Sequence, residues 1–112
     1  GEDSSILDYP TLLSRLEGDR DLALVALKEF CRSAAESLDQ IRHLQKEDLE
    51  QIGFYAHKLR GGAENVNAPR IALRAERLEK AASHEKDPEY VERLVTSLER
   101  EIGLFLDHVK HL

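Results

Sequence analysis

His57 sits in the string Ala56-His57-Lys58-Leu59-Arg60-Gly61-Gly62-Ala63, and the residue types around it can do chemistry. An exposed imidazole is neutral for part of the time near neutral pH and is then a competent nucleophile, including toward phosphorus. Arg60, three residues on, lies one helical turn away and can hydrogen-bond an oxyanion such as phosphate. Lys58 adds a second positive charge. Gly61, four residues on, shares the face of His57. A glycine in a helix interior costs about 0.5–1 kcal/mol relative to alanine, and Gly61–Gly62 doubles that. A sequence that keeps such a pair needs the missing side chain. The physical reading is a phosphoryl-accepting histidine on a helix face cleared for a second protein. The competing reading is a structural or protein-docking bundle with an inert, solvated His57, its glycines marking a kink or close helix packing.

That chemistry needs a helix to present it, and the helical period dominates the chain. Asp8 is an N-cap with Pro10 in the first turn of a short helix through Leu12, Leu13 and Leu16, which stops near Gly18. Asp19 caps a second helix with the seam Leu24, Leu27, Cys31, Ala34, Leu38, Ile41 and Phe30 beside it. His43 to Asp48 is polar and reads as a connection. The third helix runs from about Glu47 to Val66 on the seam Leu49, Ile52, Ala56, Leu59, Ala63, Val66. On a wheel of about 100° per residue, His57 lies roughly 130° from that seam. Phe54 lies at least as far from it, Gly61 shares the outer face, and Arg60 falls between His57 and the seam. Asn67 suits the left-handed conformation that ends a helix, and Pro69 opens a fourth with Ile71, Ala75, Leu78 and Ala82 on one face. Ser83 to Lys86 is polar. Asp87–Pro88 starts a fifth helix with the seam Val91, Leu94, Leu98, Ile102, Phe105, Val109, Leu112. Stripes of this kind are not stable alone and must share a core. The predicted fold is all-α, an antiparallel up-down-up-down four-helix bundle with a short N-terminal capping helix. Residues 1–112 read as a single domain, with a dimerising helical hairpin as the weaker alternative.

The composition excludes several classes. The chain has 112 residues with 16 Lys+Arg against 22 Asp+Glu, a net charge of −6, which argues against binding duplex nucleic acid. No apolar run approaches the roughly 18 residues of a membrane span. Cys31, the one cysteine, cannot form an internal disulfide and reads as a buried reduced thiol. His108 and His111 lie one turn apart beside Asp107, and His43 and His84 fall at links, but no spacing guarantees three convergent ligands, so no metal is expected. With no Met and with Gly1 first, the chain reads as an excised segment, and residues 1–5 as disordered or expression-derived.

The string Ala56 to Ala63 resembles the signature of the histidine-containing phosphotransfer (HPt) domain. That family has a His, a Lys or Arg three residues on, a Gly immediately after, then a hydrophobic residue and a Leu-Glu pair on the next helix. Ile71 and Leu78-Glu79 match this second half. The opening is similar too, from Leu7-Asp8 through Leu12-Leu13, Leu16 and Gly18-Asp19 to the Phe30 helix. The resemblance implies a non-catalytic bundle that relays phosphoryl groups in two-component signalling. It implies that His57 takes the group, on its solvent-facing nitrogen, from a receiver-domain aspartate and passes it to the aspartate of a response regulator. Arg60 and Lys58 would screen the phosphoryl charge, Gly61 would leave room for the receiver, and Phe54 would belong to an apolar docking patch. Mg²⁺ would sit on the partner receiver, with no cofactor in this domain. The implied setting is the C-terminal module of a bacterial hybrid sensor histidine kinase. The module would be a cytoplasmic monomer without membrane contact, its parent being anchored in the inner membrane.

Two positions depart from the family pattern. Glu64 stands where a small residue is common, on the side of His57, where it can pair with Arg60 or put a negative charge at the rim of the docking face. Asn67 stands where Gly is common, a mild change. Lys58 follows the His where a kinase dimerisation helix has an acidic residue, and no Gly-rich nucleotide box appears, which speaks against autokinase activity in this segment. Arg70, Arg74 and Arg77 could help meet an acidic receiver pocket, but solvated pairing with Glu76 and Glu79 is the expected use.

Overall fold

A computed structural model describes residues 5–44, 48–85 and 87–112. Its helices are α1 (Tyr9–Arg15), α2 (Arg20–His43), α3 (Leu49–Asn65), α4 (Pro69–Lys80) and α5 (Pro88–Lys110), with a π-helical turn at Ala81–Glu85 after α4. Helices α2 to α5 each pack on their neighbour in sequence, and α5 closes on α2, giving the antiparallel up-down-up-down bundle. No described helix is long and apolar enough to cross a membrane. The expectation for residues 1–5 falls, over 1–4, outside the described residues, and so does the expected start of the third helix at Glu47.

The helix ends follow local chemistry. Asp8 accepts from the Thr11 N–H at 3.3 Å and from its hydroxyl at 2.7 Å. Asp19 accepts from the Leu22 N–H at 3.0 Å, and Asp87 from the Glu89 N–H at 3.1 Å. These bonds satisfy first-turn donors that have no partner within their own helix. Asn67 is left-handed at φ 60°, so α3 stops and the chain reverses into α4. Helix α1 clamps this reversal. The Asp8 N–H donates to the Asn67 carbonyl at 2.8 Å, and Arg15 Nη1 donates to Asn67 Oδ1 at 3.0 Å. The capping helix therefore holds together the two helices that build the site.

The core contains Ile52, Ala56, Leu59 and Ala63 from α3 with Ile71, Ala75 and Leu78 from α4, as their spacing requires. Two seams differ from the expectation. In α2 the buried face runs Ala23, Leu27, Phe30, Ala34, Ser37, Ile41, while Leu24 is exposed and Cys31 and Leu38 are marginal. The large apolar arc of α2 leaves its rotation undetermined locally. The T-shaped packing of Phe30 on Phe105, 5.4 Å between centroids, goes with the rotation that buries the small residues Ala23, Ala34 and Ser37. In α5, Val95 and Glu101 are buried, whereas Leu94 and Val109 are marginal and Leu112 is exposed. Leu112 lies beyond the end of α5, so the helical period no longer holds it on the seam.

Candidate functional site

His57 projects from the middle of α3 with 64% of its side chain exposed. Its Nδ1 lies 2.8 Å from Glu79 Oε2 on α4. Arg60, one turn on, places Nε 3.4 Å from Glu79 Oε1 and Nη2 3.1 Å from His57 Nδ1. Nδ1 cannot serve both neighbours. A guanidinium only donates and a carboxylate only accepts. Arg60 already pairs with Glu79, so the carboxylate accepts the hydrogen bond that Nδ1–H donates, and Arg60 Nη2 is a flanking contact. The imidazole is thereby oriented as the Nδ1–H tautomer. Nε2 keeps its lone pair and has no hydrogen-bond partner among the described residues. The arrangement is a nucleophilic nitrogen turned to solvent, a carboxylate behind it, and a cation alongside.

The Gly-Gly pair divides into two roles. A Cβ built on Gly61 meets nothing within 4 Å, whereas one on Gly62 comes within 3.0 and 3.1 Å of the Phe30 ring. Gly62 is there for close packing of α3 on α2, and Gly61 leaves the helix surface open beside His57. Gly61→Ala is therefore expected to stabilise the fold by about 0.5–1 kcal/mol through helix propensity. At Gly62 that gain is offset by displacement of a ring locked against Phe105. Urea denaturation of the two variants checks this, and equal gains would refute the division.

The other sequence candidates are placed as follows. Phe54 is 61% exposed, its ring held edge-on by Tyr55. With Leu49, Gly53 and Ala82 it lines a recess of about 690 Å³ that runs up to His57 and Glu79. Lys58 is exposed on the flank of α3 and forms no ion pair among the described residues. Glu64 does not pair with Arg60, whose partner is Glu79. It faces instead a separate recess of about 360 Å³ shared with Asp8, Asn67 and Glu76. The structure thus gathers His57, Arg60, Phe54 and Gly61 on one face and sets Lys58 and Glu64 at its margins.

Glu79 joins the site only in the folded structure. Its signal was the Leu78-Glu79 pair, but only the docking of α4 on α3 brings it to Nδ1. The arginines of α4 also depart from the expectation of solvated pairing with Glu76 and Glu79. Arg70 and Arg74 turn to the buried Glu101 of α5, with Arg70 Nε 2.6 Å from its Oε1. Among the described residues no group of three or more His, Cys, Asp or Glu is arranged to hold a metal. His43 and His111 meet backbone carbonyls of their own helices, at Asp39 and Asp107. Cys31 is half-buried, and burial pushes its thiol above the ordinary range.

Comparison with known proteins agrees with this geometry. The family model described as "Hpt domain" matches residues 25–105. Among solved structures, the histidine-containing phosphotransfer protein B (HptB) from Pseudomonas aeruginosa PAO1 is similar at 26% identity with a TM-score of 0.81, over 98% of this chain and 99% of that one. No curated protein sequence matches. Hpt proteins exchange phosphoryl groups with receiver domains and response regulators, and they are intermediates rather than catalysts. The chain belongs to the Hpt domain family, the phosphorelay intermediates of two-component signal transduction.

Proposed function

We propose that His57 is the phosphoacceptor of this relay module. The observation that carries the reading is an imidazole with 64% of its side chain exposed, whose Nδ1 is engaged by Glu79 at 2.8 Å and whose Nε2 has no hydrogen-bond partner among the described residues. The Nε2 lone pair attacks the phosphorus of a receiver's aspartyl phosphate. The N–P bond forms, the acyl-phosphate P–O bond breaks, and the receiver's aspartate leaves as a carboxylate. Positive charge develops on the ring while its proton stays on Nδ1, where the Glu79 carboxylate stabilises it. The reverse step delivers the group to the aspartate of a second receiver. Arg60 and, from the margin, Lys58 offset the charge of the phosphoryl oxygens. Mg²⁺ and the receiver's own carboxylates act on the transferring group from the partner's side.

Docking of the receiver uses the open backbone at Gly61 and the recess beside Phe54, and Glu64 sets a negative charge at the edge that influences partner choice. The donor is the receiver of a hybrid sensor kinase and the acceptor that of a response regulator. Incubation with a phosphorylated receiver is expected to label this chain with phosphate that is lost in acid and retained in alkali, as phosphohistidine is. Label with the opposite stability, or none, would overturn the assignment.

A further inference from the structure

Glu101 is 3% exposed, the one acidic side chain buried among the described residues. Its Oε1 lies 2.6 Å from Arg70 Nε, and its Oε2 lies 3.2 Å from Arg70 Nη2 and 3.6 Å from Arg74 Nε. Arg74 Nη1 also donates to the Arg70 carbonyl at 3.2 Å. A buried ion pair is a weak device for stability, because desolvation offsets much of the attraction and packed apolar residues often do as well. Fixing one geometry is the better-attested use.

The helical wheel of α4 shows what geometry is fixed. Ile71, Ala75 and Leu78 face the core, and Arg70 and Arg74 lie on the α5 flank. Glu79 follows them by nine and five residues, hence about 180° and 140° round the helix. It lies on the α3 flank, where it holds His57. One helix therefore carries the clamp on one side and the site carboxylate on the other. A side-chain tip lies about 5–6 Å from the helix axis, so a roll of about 10° moves it by about 1 Å. That takes a hydrogen bond of 2.8 Å out of range.

We infer that Glu101 is a positioning residue of the relay site. By clamping Arg70 and Arg74 it sets the roll of α4, keeps Glu79 on His57 Nδ1, and so keeps Nε2 the free nucleophile. The inference rests on His57 being the phosphoacceptor. None of the three clamp residues is a partner of His57, so each acts through α4.

The test is Glu101→Met in the full chain, which removes the charge at similar volume and frees both arginines to turn to solvent. Three quantities are read: the His57 tautomer from its imidazole ¹⁵N shifts, the rate of label acceptance from a phosphorylated receiver, and the melting temperature. The Nε2–H tautomer is expected to gain a substantial share and acceptance to slow about tenfold. Melting should stay within about 4 °C of wild type. Glu101→Gln keeps an acceptor for Arg70 and is expected to restore most of both site readouts. Arg42→Ala removes a comparable clamp of α2 on α5, to Glu92 and Glu99, and is expected to leave the His57 tautomer and rate unchanged. A wild-type tautomer and rate in Glu101→Met would overturn the inference, as would the same shift in Arg42→Ala. If Glu101→Met does not fold, Arg74→Gln decides by the same tautomer readout. If wild type takes no label, the phosphoacceptor reading fails, and the tautomer still decides the positioning role on its own.

Discussion

His57→Gln is expected to abolish phosphoryl acceptance while leaving helix content and melting temperature close to wild type. The side chain is 64% exposed, and substitutions at such surface positions usually change stability by no more than about 0.5 kcal/mol. A glutamine amide can still donate to Glu79, so the local hydrogen bonding is largely kept. What disappears is the nucleophilic Nε2, since an amide nitrogen has its lone pair delocalised and does not attack phosphorus. Loss of label is therefore expected to be complete rather than graded. The check is parallel incubation of wild type and variant with the same phosphorylated receiver, with circular dichroism on both. Equal labelling of the two would move the acceptor away from His57.

Leu78→Ala is expected to destabilise the fold by about 2–5 kcal/mol, the range for emptying a well-packed leucine site. Leu78 has no exposed surface and sits in the α3–α4–α5 core beside the residue that carries the site carboxylate. For a chain of this length each kcal/mol lowers melting by about 4 °C, so the midpoint should fall by about 8–20 °C. Urea titration measures the loss, and a value under about 1 kcal/mol would show that the neighbours collapse into the space. The two variants separate chemistry from architecture. His57→Gln removes transfer from a folded protein, and Leu78→Ala removes folded protein while each remaining native molecule keeps its nucleophile.

The difference in legibility between α3 and α2 has a physical cause. In α3 the polar and apolar residues leave a narrow stripe from Ile52 to Ala63, so its rotation in the bundle has one solution and the outward position of His57 follows. In α2 the apolar arc is broad, with leucines at 22, 24, 27 and 38 and alanines at 23, 26, 34 and 35. Several rotations bury similar area, and the choice rests with Phe30 meeting Phe105 on another helix. The glycine pair was ambiguous for a similar reason. Spacing says that two side chains are missing, and only the neighbour at each position says why: a ring of α2 at Gly62 and open space at Gly61.

The sequence by itself determined what is local. Caps at Asp8, Asp19 and Asp87, the left-handed Asn67, the stripes of α3 and α4, and an imidazole one turn from a guanidinium all depend on residues within about a turn or two of each other. Side-chain type and helical period are enough to read them. The tertiary structure alone decided the partners that come from distant positions. Glu79 reaches His57 across 22 residues and Glu101 reaches Arg70 across 31. An acidic residue on a helix flank has many possible cations within reach of its wheel. Which one it meets depends on how far each helix is rolled and slid in the shared core, a property of the whole packing and not of any one segment.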